Sequence, residues 1–205
     1  MKVLVACEFS GIVREAFKAR GHDAWSCDLL PTEIPGQHIQ GDVLEILNDG
    51  WDLMIAHPPC TFLSYVGTRH WNKPGRKEKR DEAFDFFMNF ANAQIEKICI
   101  ENPKGYPMKA WRKPDQIIQP YFFGDREMKT TCLWLKGLSL LNHIAKGDMF
   151  DTPTHTDKPE PWYELKTNKK KIYFTEGMRG NKIHRSLARA KTFPGIATAM
   201  AEQWG

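Results

Sequence analysis

The chain has 205 residues, with 29 Lys+Arg against 25 Asp+Glu, a formal net charge of +4, and 41% hydrophobic and 26% charged residues. That is room for one ordinary domain with a proper core, and it excludes a wholly disordered chain and a tail that binds nucleic acid by charge alone. No apolar run approaches the length of a bilayer span, and the opening MKVLVACEFSG has neither the apolar core nor the cleavage site of a signal peptide, so membrane insertion and export are not expected. Five scattered cysteines (Cys7, Cys27, Cys60, Cys99, Cys132) contain no C-x-x-C pair. Such a set excludes a disulfide framework and an ordinary structural zinc site and suits reduced thiols in a cytoplasm, with no metal expected.

In chain order, Val3 to Cys7 is a continuous apolar run, the pattern of a strand buried on both faces. Ser10-Gly11 turns the chain into a helix over Ile12 to Arg20, with Val13, Ala16 and Phe17 on one side and Gly21 as the stop. A second strand spans Asp23 to Cys27 and ends at Asp28; a third spans Asp52 to Ala56 and ends at His57-Pro58-Pro59-Cys60. The 3.6-residue period predicts a helix from about Asp81 to Ile95, carrying Phe84, Phe87, Met88 and Ala91. It feeds a strand over Lys97 to Ile100 that ends at Glu101-Asn102-Pro103, and a further β-like run covers Thr130 to Leu135. Residues 137–185 break the rhythm with Pro153, Pro159 and Pro161 and a basic cluster at Lys166 and Lys169-Lys170-Lys171, so an irregular, β-containing appendage is expected there. Pro194 to Trp204 reads as a C-terminal helix packing back on the domain.

Strands alternating with helices predict an α/β fold with a doubly wound, mostly parallel sheet. Ligands of such sheets sit beyond the carboxyl ends of the strands, where the unusual polar residues of this chain collect: Glu8-Phe9-Ser10-Gly11, Asp28, His57 to Cys60, and Glu101-Asn102. Gly11 lets backbone approach a ligand, and the helix N-terminus after it is expected to meet a carboxylate or phosphate. No G-x-G-x-x-G is present, which disfavours a dinucleotide. Asp28 reads either as an acid against ribose hydroxyls or as a turn residue. Two prolines fix where the Cys60 thiol points, so Cys60 reads as a nucleophile or as a small apolar filler. Glu101 is expected beside it, with a carboxyl pKa raised by an apolar crevice, or else as a strand-end acid.

Phe9-Ser10-Gly11, Asp28, Gly41-Asp42-Val43, Pro58-Pro59-Cys60-Thr61-Phe62-Leu63-Ser64 and Glu101-Asn102-Pro103-Lys104-Gly105 occur in that order. Together they resemble the motif series of the S-adenosylmethionine-dependent cytosine-C5 DNA methyltransferases, in a compact phage- or prophage-type form that ends with Lys191-Thr192-Phe193-Pro194-Gly195-Ile196-Ala197. The resemblance is good over about the first 105 residues and loose beyond. It implies a Rossmann-like methyltransferase fold, a cofactor-binding and catalytic domain over 1–136, a reduced target-recognition-like insert over 137–185, and a C-terminal helix over 186–205. It implies that Cys60 adds to cytosine C6, that Glu101 contacts N3 and the exocyclic amine, and that Phe9, Ser10, Gly11, Asp28, Asp42 and Pro58 hold S-adenosylmethionine. The base must be flipped out or already unpaired to be reached. The paired-arginine motif of the family is not recognisable; Lys129 stands in by placement, with Arg126 less well placed. Thr61 replaces the usual Gln and Pro103 the usual Val.

Between Thr68 and Arg80 six Lys/Arg face one acid. Beside a nucleophile, such a loop suits phosphate contacts through Ser64, Arg69, Lys73, Arg76 and Lys77. The small insert predicts short or relaxed sequence specificity. The expectation is thus methylation of cytosine C5 in DNA inside a bacterial or phage-infected cell. The alternatives are methylation of RNA cytosine or a free pyrimidine nucleotide, or a catalytically silent cofactor- or DNA-binding protein.

Overall fold

β1 (Lys2–Ala6) is apolar at every position after its first because both of its faces are covered. Val3 and Val5 pack in one layer with Val13 and Phe17 of α1 (Ile12–Ala19), while Leu4 and Ala6 pack in the other with Phe87 and Phe90 of α2 (Arg76–Ala91). Full burial of each of those phenylalanines contributes about 2 kcal/mol. A computed structural model is the source of these coordinates; it describes residues 1–145, 152–167, 169, 171–173 and 187–205, with the side chains of residues 69 and 70 outside that description.

α1 carries the chain from β1 to β2 (Asp23–Asp28), which pairs with β1 in parallel; β3 (His38–Gln40) adds beyond it. β4 (Leu53–Ala56) flanks β1 on the other side, and α2 leads from it to β5 (Lys97–Asn102), again parallel. A short helix α3 (Pro107–Ala110) and β6 (Gln116–Ile118) precede β7 (Thr131–Lys136), which runs antiparallel to both β5 and β6. The seven strands stand in the order β3-β2-β1-β4-β5-β7-β6. The chain is therefore an α/β protein with a mostly parallel sheet, compatible with a Rossmann-like fold.

The reversal of β7 matters for the site. Its first residues, not its last, lie on the edge where β1, β4 and β5 end, so Lys129 reaches that edge from the opposite chain direction.

The expected helix from Asp81 to Ile95 is displaced: α2 starts at Arg76, after Gly75 in the left-handed region at φ 70°, and stops at Ala91. Lys and Arg are good helix formers, so the charged stretch extends the helix toward the N-terminus instead of looping. Ala93 and Ile95 remain buried in the turn leading to β5. The C-terminal helix α4 (Pro194–Trp204) buries Ile196, Met200 and Trp204 in the layer that holds α1, and the Trp204 indole donates to Ser139 O at 3.0 Å. Within residues 137–185, β8 (Tyr163–Glu164) and β9 (Lys171–Ile172) form a short antiparallel pair. Residues 146–151, 168, 170 and 174–186, including Lys170 of the expected basic cluster, lie outside the described residues. Among the described residues no helix is long and apolar enough to cross a membrane, and no group of three or more His, Cys, Asp or Glu could hold a metal ion.

Candidate active site

The carboxyl ends of β4 and β5 are tied together. The buried Asn102 amide donates to Pro58 O at 2.8 Å, which fixes the double proline against the end of β5. Beyond them, Tyr106 N donates to Leu63 O at 2.7 Å and Tyr65 N to Lys104 O at 3.1 Å, pairing the loop after Cys60 with the loop after Glu101. Gly105 permits this approach: a Cβ there would lie 2.2 Å from Leu63 O. Cys60 O closes its own loop by accepting from Leu63 N and Ser64 N at 3.1 and 2.9 Å.

Cys60 is exposed, whereas Cys27, Cys99 and Cys132 are buried. The mass of protein around its sulfur still pushes the thiol pKa up; Lys129 and Arg189 pull it back, and Glu101 adds to the rise. Glu101 is buried at 8% exposure, with Oε2 3.4 Å from His57 Nδ1 and 3.4 Å from the Thr192 hydroxyl. Burial alone would raise its carboxyl pKa, but the His57 hydrogen bond and charge, Lys129 and Thr192 together outweigh it, and the net shift is downward. The raised pKa expected from an apolar crevice is thus corrected: a histidine, a lysine and a hydroxyl face the carboxylate. Lys129 donates from Nζ to Lys191 O at 2.9 Å and acts on both Cys60 and Glu101.

At the neighbouring strand ends, Cys7 leaves β1 with φ 58°, a strained value for a residue with a Cβ. Glu8 then turns inward: its carboxylate accepts from Val13 N and Arg14 N at 2.7 and 3.2 Å and from the Ser10 hydroxyl at 3.1 Å. The α1 N-terminus expected to receive a ligand's carboxylate or phosphate is therefore satisfied by the chain itself. Gly11, at φ 76°, begins the helix. A Cβ on Gly11 would lie 2.6 Å from an Arg14 guanidinium nitrogen. Arg14 is fully buried and donates to Glu15, Ser26 and Thr32 side chains at 2.9, 2.9 and 3.2 Å and to Ile34 O at 2.5 Å. It moulds the segment after β2.

Asp28 accepts from Leu30 N at 2.9 Å and Asp42 from Leu44 N at 3.0 Å, so each shapes its own turn. Both lie close enough to Cys7 to push its thiol pKa up, after the larger effect of burial. Phe9, Ser10 and His57 line a hollow of about 10 Å³ with Cys7, Glu8 and residues 190–192. Lys191, paired with Glu33 at 2.6 Å, fastens that last segment across the hollow. Pro58 is buried beneath the Asn102 bond.

The basic stretch divides in two. The Arg76 guanidinium stacks 4.2 Å from the Phe62 ring and donates to Thr61 O at 2.9 Å, and Arg80 sits 4.3 Å from Tyr106 and 5.3 Å from Trp71. These two brace the loop that follows Cys60. Lys73, Lys77 and Lys79 are exposed, Lys77 being 3.9 Å from Asp81. Ser64 caps the 3-10 turn Tyr65–His70 by accepting from Val66 N at 3.2 Å. The Arg69 side chain lies outside the described residues.

The structure thus brings Pro58, Cys60, Glu101 and Lys129 to one edge, and gathers Phe9, Ser10, Asp28 and Asp42 at the adjacent strand ends. Sequence reasoning placed His57 at the strand ends and Thr192 in the C-terminal motif without giving either a role, and it did not single out Arg14. His57 directly before a double proline at a strand end, and a charge on the buried side of α1 beside Val13, were the available signals; Thr192 had none. Compared with known proteins, the chain matches no family model and no curated protein.

Proposed function

We propose that the chain is an S-adenosylmethionine-dependent methyltransferase acting on C5 of cytosine in DNA. One observation carries the reading: Pro58-Pro59-Cys60 and Glu101-Asn102 are stitched together by the 2.8 Å Asn102–Pro58 bond, and Lys129 acts on both Cys60 and Glu101. Cytosine C5 is a weak carbon nucleophile. A thiolate added at C6 makes the ring enamine-like and nucleophilic at C5, a task for an exposed sulfur held near cations. Glu101 would grip N3 and the exocyclic amine, and the Lys129 ammonium would meet the ring carbonyl, steadying charge that develops on the ring. Exposed Lys73, Lys77 and Lys79, next to the loop after Cys60, suit backbone phosphates on either side of an extruded base.

The residues at the β1 and β2 ends suit the cofactor. Asp28 and Asp42 present acceptors for ribose hydroxyls and an adenine amine, and Leu29 and Leu30, 73% and 41% exposed immediately after Asp28, offer an apolar surface to a flat base. Phe9 and Ser10 border the hollow at the other end, where admission of the amino-acid portion requires residues 190–192 to move aside. When bound, S-adenosylmethionine supplies an electrophilic methyl group.

Incorporation of labelled methyl into cytosine-containing duplex DNA tests the reading. The wild-type protein is expected to form 5-methylcytosine and the Cys60→Ala variant none; an undiminished yield from the variant would overturn it. The short β8–β9 pair in the insert motivates a second substrate, a free pyrimidine nucleotide. Competition between duplex DNA, RNA and dCMP in the same assay decides between them.

A further inference from the structure

If Cys60 adds to C6, the C5–C6 π pair shifts to C4–C5 and the C4–N3 pair becomes a lone pair on N3. A stable, uncharged adduct requires a proton there. Glu101, the group expected at N3, is surrounded by His57, Lys129 and Thr192, which favour its carboxylate. A carboxylate has no proton to give. His57 is the adjacent group able to give one: its Nδ1 lies 3.4 Å from Glu101 Oε2 and its side chain is only 9% exposed. The ring is aimed by its position, since the His57 backbone N–H is bonded to Ala6 O of β1 at 2.9 Å and Pro58 follows directly. Among the described residues its buried Nε2 has no hydrogen-bond partner, and His57 borders the hollow at residues 7–10.

We propose that His57 is a positioning residue that keeps Glu101 oriented and supplied with a proton during addition of Cys60 to the base, an inference that rests on the cytosine-C5 reading above. As the Sγ–C6 bond forms, the Nδ1 proton of the His57 imidazolium passes to the Glu101 carboxylate, and the carboxylic acid delivers it to N3. His57 is left neutral. When the adduct collapses and the Sγ–C6 bond breaks, the N3 proton returns along the same path. The distance of 3.4 Å is long for this transfer and is expected to tighten once a base fills the site. The groups facing His57 are Glu101 from β5, Cys7 and Glu8 from the β1–α1 turn, and Lys191 from the segment across the hollow, with Lys129 beyond Glu101. Glu8 is occupied by the α1 N-terminus, which leaves Glu101 as the acid that His57 serves.

The test is the pH profile of kcat/KM for methylation of duplex DNA by the wild-type protein and by His57→Asn, whose amide keeps a donor near the Nδ1 position but cannot ionise. The wild-type profile is expected to be bell-shaped, because the reaction needs Cys60 without its proton and His57 with one. His57→Asn is expected to lose about 10²-fold near neutral pH and to retain the rising limb alone, while its affinity for DNA changes by less than about threefold. A variant with an intact bell and a rate within about threefold of wild type overturns the proposal. Should the variant not fold, the imidazole titration of His57, read by 15N NMR in the wild-type protein, must coincide with one of the two limbs; a mismatch of about one pH unit or more from both overturns it equally. The two readings fail separately. Absence of methyl transfer to DNA, RNA and dCMP by the wild-type protein removes the function and this role with it, whereas efficient transfer by both proteins removes only the role of His57.

Discussion

Replacing Gly105 by Ala perturbs the junction between the loop after Cys60 and the loop after Glu101 without substituting either of those side chains. The added Cβ would lie 2.2 Å from Leu63 O and 2.9 Å from the Leu63 carbonyl carbon. Ordinary contact is about 3.5 Å, so the loops must part by about 1 Å or more. Neither neighbour is the flexible end of a side chain. The separation stretches two backbone hydrogen bonds, Tyr106 N to Leu63 O and Tyr65 N to Lys104 O. Their loss costs about 1 kcal/mol each, and crowding adds about 1 kcal/mol or more, giving about 3 kcal/mol. For a chain of this size that corresponds to a fall in Tm of about 6–12 °C. A shift of about 1 Å between Cys60 and Glu101 is also expected to lower methyl transfer by about 10²-fold. Thermal unfolding followed by circular dichroism, beside the labelled-methyl assay, reads both. A Gly105→Ala protein with Tm within about 2 °C of wild type and full activity would refute the claim that this close approach sets the geometry.

Arg14→Met removes the guanidinium that serves Ser26, Thr32 and Ile34 O; a loss of about 3 kcal/mol is expected in urea unfolding, with amide exchange protection lost over residues 29–37. Glu101 carries a signature in pH. Its folded-state pKa lies below the ordinary 4.5, so its stabilisation is present above that value and is lost as pH falls through the folded pKa. Glu101→Gln should therefore flatten the acid side of the stability curve, read from unfolding midpoints between about pH 3 and 5. Cys60 is the exposed thiol and should be alkylated by iodoacetamide ahead of Cys27, Cys99 and Cys132. Because Lys129 lowers its raised pKa, Lys129→Met should move the alkylation profile to higher pH.

The central strands were legible because burial on both faces leaves a long apolar run, as in β1 and β4, and α4 was legible from its proline and its alanine-rich apolar side. β3 and β6 were not. Each has three residues at a sheet edge, and His38, Gln40 and Gln116 dilute the apolar signal on which a strand reading depends. The start of α2 was misread for a related reason: a run of Lys and Arg resembles a solvated loop until tertiary partners are known, and Phe62, Trp71 and Tyr106 are those partners. The placement of Cys60 and Glu101 on one edge followed from topology alone, since they lie at and just beyond the ends of neighbouring parallel strands. The charge state of Glu101 did not, because His57 and Lys129 come from different strands and their joint pull exists only once the sheet is assembled.

The backward course of β7 separates two demands on the sequence. Its start is pinned at the edge where β1, β4 and β5 end, while its end hands the chain to residues 137–145 at the far side of the sheet; among the described residues the chain touches the domain again at Thr154 and Thr156, which bond to Phe122 O and Tyr121 O, and reaches that edge at Lys191 and Thr192. The described residues between them form an excursion held to the scaffold at its ends and at Thr154 and Thr156. That excursion can therefore be lengthened, shortened or exchanged while Lys129 keeps its place beside Cys60 and Glu101.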